Sequence, residues 1–164
     1  MTGRAIRLLH LEDSEPDHAL ALVYLARSGL AVQATRIETR TEFEAALQQH
    51  AHGARGWDLV LSDYHLPGFT GIEALQMLRD SGSLLPFILV SGQIGEDTAV
   101  EAMRNGASDY LLKNNLSRLA PAVEHAGRRS ARRARDARGP QGGRRARDAR
   151  RSRAQRRRPD QHAR

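Results

Sequence analysis

Four short, mostly apolar runs each end in residues able to do chemistry. LLHL is followed by Glu12-Asp13, LVLS by Asp63, ILV by Ser91 and DYLL by Lys113. Three acids, one hydroxyl and one ammonium make a coherent set. Carboxylates held close together repel one another unless a cation joins them. Oxygen-only donors suit a hard divalent ion, and Mg²⁺ takes one or two carboxylates while keeping places for water and a substrate phosphate. A carboxylate can also attack phosphorus, forming an aspartyl phosphate. A metal and a lysine then neutralise the phosphoryl oxygens, and a hydroxyl donates to one of them.

Such chemistry needs elements that bring the run ends together. Ala5–Leu11 reads as a buried strand, followed by a helix capped by Ser14 with Asp17 and stopped at Gly29. Val32–Glu38 is a second strand, and Thr41 with Glu44 predicts the cap of a second helix carrying Phe43, Ala46 and Leu47. Leu59–Ser62 is a third strand, and Tyr64–Phe69 a loop with Pro67-Gly68 as its turn. Thr70 with Glu73 caps a third helix through Leu78. Pro86–Val90, then a helix over Asp97–Asn105 with Gly106 as its stop, then Asp109–Leu112 complete the alternation. Leu116, Leu119, Ala120 and Val123 place an apolar stripe on a fifth helix. Strict strand–helix alternation predicts an α/β fold, a doubly wound five-stranded parallel sheet with five flanking helices. In such a sheet ligands bind at the carboxyl ends of the strands, beside the topological switch point. Glu12, Asp13, Asp63, Ser91 and Lys113 are the residues at those ends.

The 164 residues suffice for one domain with a remainder, and the net charge of +7 divides by position. From Gly127 onward there are 16 Arg against 3 Asp, a net +13, whereas residues 1–126 carry 10 Lys and Arg against 16 Asp and Glu, a net −6. Residues 127–164 hold no Val, Ile, Leu, Met or aromatic residue and cannot build a core. The expected organisation is a folded acidic domain over 1–126 and a disordered arginine-rich tail over 127–164. With no cysteine, disulfides, Cys-ligated zinc and a cysteine nucleophile are excluded. No apolar run reaches membrane-spanning length and no secretory signal opens the chain, so a cytoplasmic protein without membrane contact is expected. GxxxxGK[ST], GxGxxG and HExxH are all absent.

Together the motifs LHLEDSE, LVLSDYHLPGFTG, ILVSG and DYLLK resemble the receiver domain of bacterial two-component response regulators, of the chemotaxis-regulator kind, over roughly residues 5–126. The resemblance implies a flavodoxin-like strand order, 2-1-3-4-5. It makes Asp63 the phosphoacceptor, with Glu12, Asp13, Asp63 and the backbone carbonyl of His65 around Mg²⁺. It gives Ser91 and Lys113 the phosphoryl oxygens, and Tyr110 the place of an aromatic switch that moves with Ser91. It further implies phosphorylation by a histidine kinase or a histidine phosphotransfer protein, a downstream protein partner, and a homodimer as an option. Catalysis would be limited to self-phosphorylation and self-dephosphorylation, so no enzyme with an external product is expected. The chain departs from the pattern in having Glu12 in the acidic pair, Ser91 for threonine, and Asn114 where proline usually follows the lysine. A cis bond before a non-proline residue costs about 2.5–4 kcal/mol.

Other readings stand beside this one. Tyr110 fits a core position as well as a switch. His10 and His125 lack the setting of a phosphohistidine. The chain could be the N-terminal receiver of a longer sensor kinase or second-messenger enzyme. The tail could be a basic arm for nucleic acid, without aromatic residues to stack on bases. Its composition favours out-of-frame translation of a GC-rich gene, since Arg, Ala, Gly and Pro make up 29 of its 38 residues.

Overall fold

Leu8–Leu11, Leu59–Leu61 and Phe87–Val90 are buried on both faces, as strands in the middle of a parallel sheet must be. The computed structural model describes residues 3–51, 56–93 and 95–139. In chain order the elements are β1 (Ile6–Leu11), α1 (Glu15–Arg27), β2 (Val32–Ile37), α2 (Arg40–Ala51) and β3 (Leu59–Asp63). A small antiparallel hairpin, His65–Leu66 with Phe69–Thr70, follows within the expected loop. Then come α3 (Gly71–Asp80), β4 (Phe87–Ser91), α4 (Glu96–Arg104), β5 (Asp109–Leu112), a 3₁₀ turn (Leu116–Arg118) and α5 (Leu119–Ala137).

The five long strands form one parallel sheet in the order β2-β1-β3-β4-β5, the doubly wound order expected. From β1 the chain first builds outward to β2, then returns to the other side of β1 as β3. The switch point therefore lies between β1 and β3. Register brings the strand ends level: Leu11 lies opposite Ser62, Asp63 opposite Val90, and Ser91 opposite Leu112.

Side-chain alternation divides the core by face. Leu9, Leu11, Val60, Phe87 and Leu89 pack with Phe43 of α2, Leu75 and Leu78 of α3 and Ala102 of α4. Leu8, Leu59, Leu61, Ile88 and Val90 pack with Leu25 of α1 and Leu119 and Val123 of α5. Leu75 is fully buried, so Leu75→Ala is expected to cost about 2–5 kcal/mol in urea denaturation by removing contacts and leaving a cavity.

Two local expectations are corrected. The cap of α2 is Thr39 with Glu42, not Thr41 with Glu44: Thr39 Oγ1 accepts from the Glu42 amide at 3.2 Å, and the Thr39 amide donates to Glu42 Oε1 at 3.3 Å. Both pairs have capping spacing, but β2 ends at Ile37, so the helix starts two residues earlier and Glu44 instead meets Arg40 at 3.6 Å. Leu116, expected on the fifth helix, sits in the 3₁₀ turn before it. Gly106, just beyond α4, has φ 94° and makes the turn that a side chain would resist.

The first compact unit ends at Ser130, a little past residue 126, and α5 itself continues to Ala137. The expectation of a disordered tail falls largely on residues 140–164, outside the described ones. Among the described residues no helix is long and apolar enough to cross a membrane. There is also no cis peptide among them, so Lys113–Asn114 is trans.

Candidate functional site

Each strand end delivers its residue to one edge of the sheet. Glu12 follows β1, its amide donating to Ile37 of β2 at 3.0 Å. Asp63 closes β3, and Ser91 closes β4. Lys113 follows β5, its amide donating to the Ser91 carbonyl at 2.9 Å. Glu12, Asp63 and Ser91 are buried polar residues, whereas Asp13 is exposed.

Glu12, Asp13 and Asp63 each present a carboxylate oxygen, and these lie within 4.8 Å of one another. Hard oxygen donors at that spacing fit a divalent cation, which would offset their mutual repulsion. Lys113 supplies the internal counter-charge. Its Nζ donates to Asp63 Oδ2 at 2.9 Å and to Asp17 Oδ2 at 2.8 Å, and lies 3.3 Å from Glu12 Oε2. Burial works against the ammonium, but the bonds it donates to Asp17 and Asp63 and the charge of Glu12 outweigh it and raise its pKa.

Burial, the largest cause, pushes Glu12 from its ordinary 4.5 up to about 7. The Ser14 amide and Lys113 pull the other way, while the Asp63 charge adds to the rise. Folded Glu12 thus keeps a proton that the unfolded chain has already lost. Its contribution to stability is fullest below about pH 4.5 and is lost as pH rises through about 7. His10 works in the opposite sense. Burial first, then the fields of His18 and Lys113, hold it down to about 3, so stability rises with pH toward 6.5. Comparison with Glu12→Gln isolates Glu12. Wild type is expected to lose stability relative to that variant between about pH 5 and about pH 8 in denaturation curves without divalent cation. Added divalent cation, which favours the ionised carboxylate, should flatten the difference.

The hydroxyl of Ser91 is engaged within its own loop, donating to the Gln93 carbonyl at 3.0 Å and accepting from the Gln93 amide at 3.3 Å. Tyr110 is half-buried, its ring against the α2–α3–α4 side of the core, and its hydroxyl donates to the same Gln93 carbonyl at 3.2 Å. Core residue and loop partner are thus both true of Tyr110. His65 is exposed in the hairpin, its ring edge-on to Tyr64 at 4.8 Å. His10 is buried beneath the edge, its Nδ1 2.7 Å from Nδ1 of His18, so one ring donates and the other accepts. His125 is exposed on α5.

Sequence reasoning missed two members of the site. From its spacing, Asp17 is expected only as half of a capping box with Ser14. Its amide does donate to Ser14 Oγ at 3.3 Å, but its carboxylate goes to Lys113. The Ser14 amide turns instead to Glu12 Oε1 at 3.1 Å. No local signal links Asp17 to a lysine 96 residues away. Gly71 is the other: its N–H donates to the Tyr64 carbonyl at 2.8 Å, and a Cβ there would lie 2.5 Å from the Asp63 carbonyl oxygen.

The geometry agrees with what the chain resembles elsewhere. Residues 13–124 match the family described as response regulator receiver domain. The regulatory protein LuxO of Vibrio cholerae is 36% identical over 85 residues, 51% of this chain and 19% of that protein. The response regulator protein FleR of Pseudomonas aeruginosa is 44% identical over 70 residues, 43% of this chain and 14% of that one. The chain therefore spans less than a fifth of the length of these two relatives. Among solved structures, the phosphorylated cyanobacterial phytochrome response regulator RcpA superposes with TM-score 0.61 at 27% identity, over 74% of this chain and 91% of that one. The signal receiver domain of a LuxO repressor protein from Vibrio parahaemolyticus gives TM-score 0.65 at 23% identity, over 80% of this chain and 96% of that one.

Proposed function

This chain belongs to the response regulator receiver family of two-component signalling, and we propose that it accepts a phosphoryl group on Asp63 from a histidine kinase or a histidine phosphotransfer protein. The observation that carries the proposal is the buried Asp63 carboxylate with Lys113 Nζ at 2.9 Å and two further acids within 4.8 Å. A carboxylate so placed can attack phosphorus. The new bond joins an Asp63 oxygen to phosphorus as the donor imidazole nitrogen leaves with its electron pair. Lys113 meets the charge on the transferring oxygens.

Glu12, Asp13 and Asp63, with the His65 backbone carbonyl, would hold Mg²⁺. When bound, this ion supplies positive charge to the phosphoryl oxygens. Ser91 can reach a phosphoryl oxygen only by giving up the Gln93 carbonyl it shares with Tyr110. Phosphorylation would thereby change the bonding at the Gln93 carbonyl on which Tyr110 also rests and shift the population toward a surface read by a downstream protein. Catalysis in this reading is confined to self-phosphorylation and self-dephosphorylation. Assembly into a homodimer and a cytoplasmic location belong to the same reading.

The small share of LuxO and FleR that the chain matches favours a second reading, in which this receiver serves as one module of a longer regulator. Reading the transcript beyond the last codon in all frames tests that second reading, which is compatible with the first.

The test of the acceptor is intact mass after incubation with acetyl phosphate and Mg²⁺. One phosphoryl adduct is expected, and none when the metal is chelated before acetyl phosphate is added. A folded chain that gains no adduct overturns the proposal.

A further inference from the structure

We propose that Asp17 competes with a bound phosphoryl group for Lys113, and so holds down the stability of the phosphorylated state. This rests on the reading of Asp63 as acceptor. An ammonium has three N–H donors, and three carboxylates surround this one: Asp17 at 2.8 Å, Asp63 at 2.9 Å and Glu12 at 3.3 Å. Glu12 and Asp63 belong to the group that can hold a cation; Asp17 does not. It stands in the first turn of α1 and takes the shortest of the three contacts.

Two alternatives follow from that placement. Asp17 either aims Lys113 at the site or draws it away. Lys113 is already held by Asp63 from β3 and approached by Glu12 from β1, so it does not need a third carboxylate to be aimed. A phosphoryl oxygen on Asp63, by contrast, needs a donor from Lys113, and Asp17 occupies one. It is also a negative charge beside a site that must accept an anion, and Coulomb repulsion adds to the competition. The Asp17 side chain is 45% exposed, which keeps the effect modest. Only the Asp17 amide is needed for the Ser14 cap, so exchange of the carboxylate leaves the helix start intact.

The test titrates full-length wild type, Asp17→Asn and Asp17→Glu with beryllofluoride, a phosphoryl mimic, at saturating Mg²⁺, read by amide NMR shifts. Asp17→Asn is expected to bind about threefold more tightly, the gap narrowing as salt is raised. Asp17→Glu, which restores the charge, should move back toward wild type. Mg²⁺ titrated alone should bind Asp17→Asn no more tightly than wild type, because losing an anion cannot favour a cation. Equal or weaker beryllofluoride binding by Asp17→Asn overturns the competition and leaves Asp17 an aiming or inert residue. Tighter Mg²⁺ binding by that variant overturns it as well, by tracing the gain to the cation site. Failure of wild type itself to bind beryllofluoride marks the failure of the acceptor reading, and the inference falls with it.

Discussion

Asp63→Asn is expected to abolish the acetyl phosphate adduct altogether while making the metal-free chain more stable. The amide oxygen of asparagine is a poor nucleophile and its nitrogen lone pair is delocalised, so no phosphoryl bond forms. The gain in stability has a separate cause. Asp63 is buried beside Glu12 and contributes to the rise of the Glu12 pKa. Above about pH 7, where Glu12 is ionised, removing the neighbouring Asp63 charge relieves that repulsion, on the order of 1 kcal/mol. Lys113 is not orphaned by the exchange, since Asp17 and Glu12 remain within 2.8 and 3.3 Å. Intact mass and urea denaturation of the two proteins side by side check both halves. An adduct that persists in Asp63→Asn would move the acceptor elsewhere, with exposed Asp13 the first suspect.

Gly71→Ala should damage stability and site together. The first residue of α3 runs so close to the end of β3 that a Cβ would sit 2.5 Å from the Asp63 carbonyl oxygen and press on Leu89 Cδ1. Leu89 is fully buried and cannot swing aside. The Asp63 carbonyl is itself held, accepting from Ser62 Oγ at 2.9 Å. Either α3 or the end of β3 must shift. Overpacking of this kind costs about 1–3 kcal/mol, read as a lower urea midpoint at unchanged slope. Because the atom pushed is the acceptor's own carbonyl, the rate of phosphorylation by acetyl phosphate should also fall in the fraction that remains folded. Full stability and a wild-type rate together would show that the close approach is relieved at no expense.

Much of this was legible in the chain because it is local. An apolar run bounded by acids, a serine or threonine three residues before an acid, and a glycine after a helical stripe each act within a few residues. Strand–helix alternation then leaves few topologies, and the doubly wound sheet places Glu12, Asp63, Ser91 and Lys113 at one edge. Even locally there was a tie: Thr39 and Thr41 both have an acid three residues on, and the end of β2 decided between them.

Tertiary structure decided where those side chains point and what surrounds them. Asp17 meets Lys113 only because α1 packs beside the 3₁₀ turn that follows β5. Ser91 turns to Gln93 because its loop presents both an amide and a carbonyl there. Gly71 is required by the proximity of α3 to β3, not by its own φ. The pKa of Glu12 follows from burial, which no residue carries in its name. Residue type and short-range spacing fix which groups arrive at the sheet edge. The distances between them, and the water left around them, depend on packing between segments far apart in the chain, so the sequence determined the inventory of the site and the fold determined its charge balance.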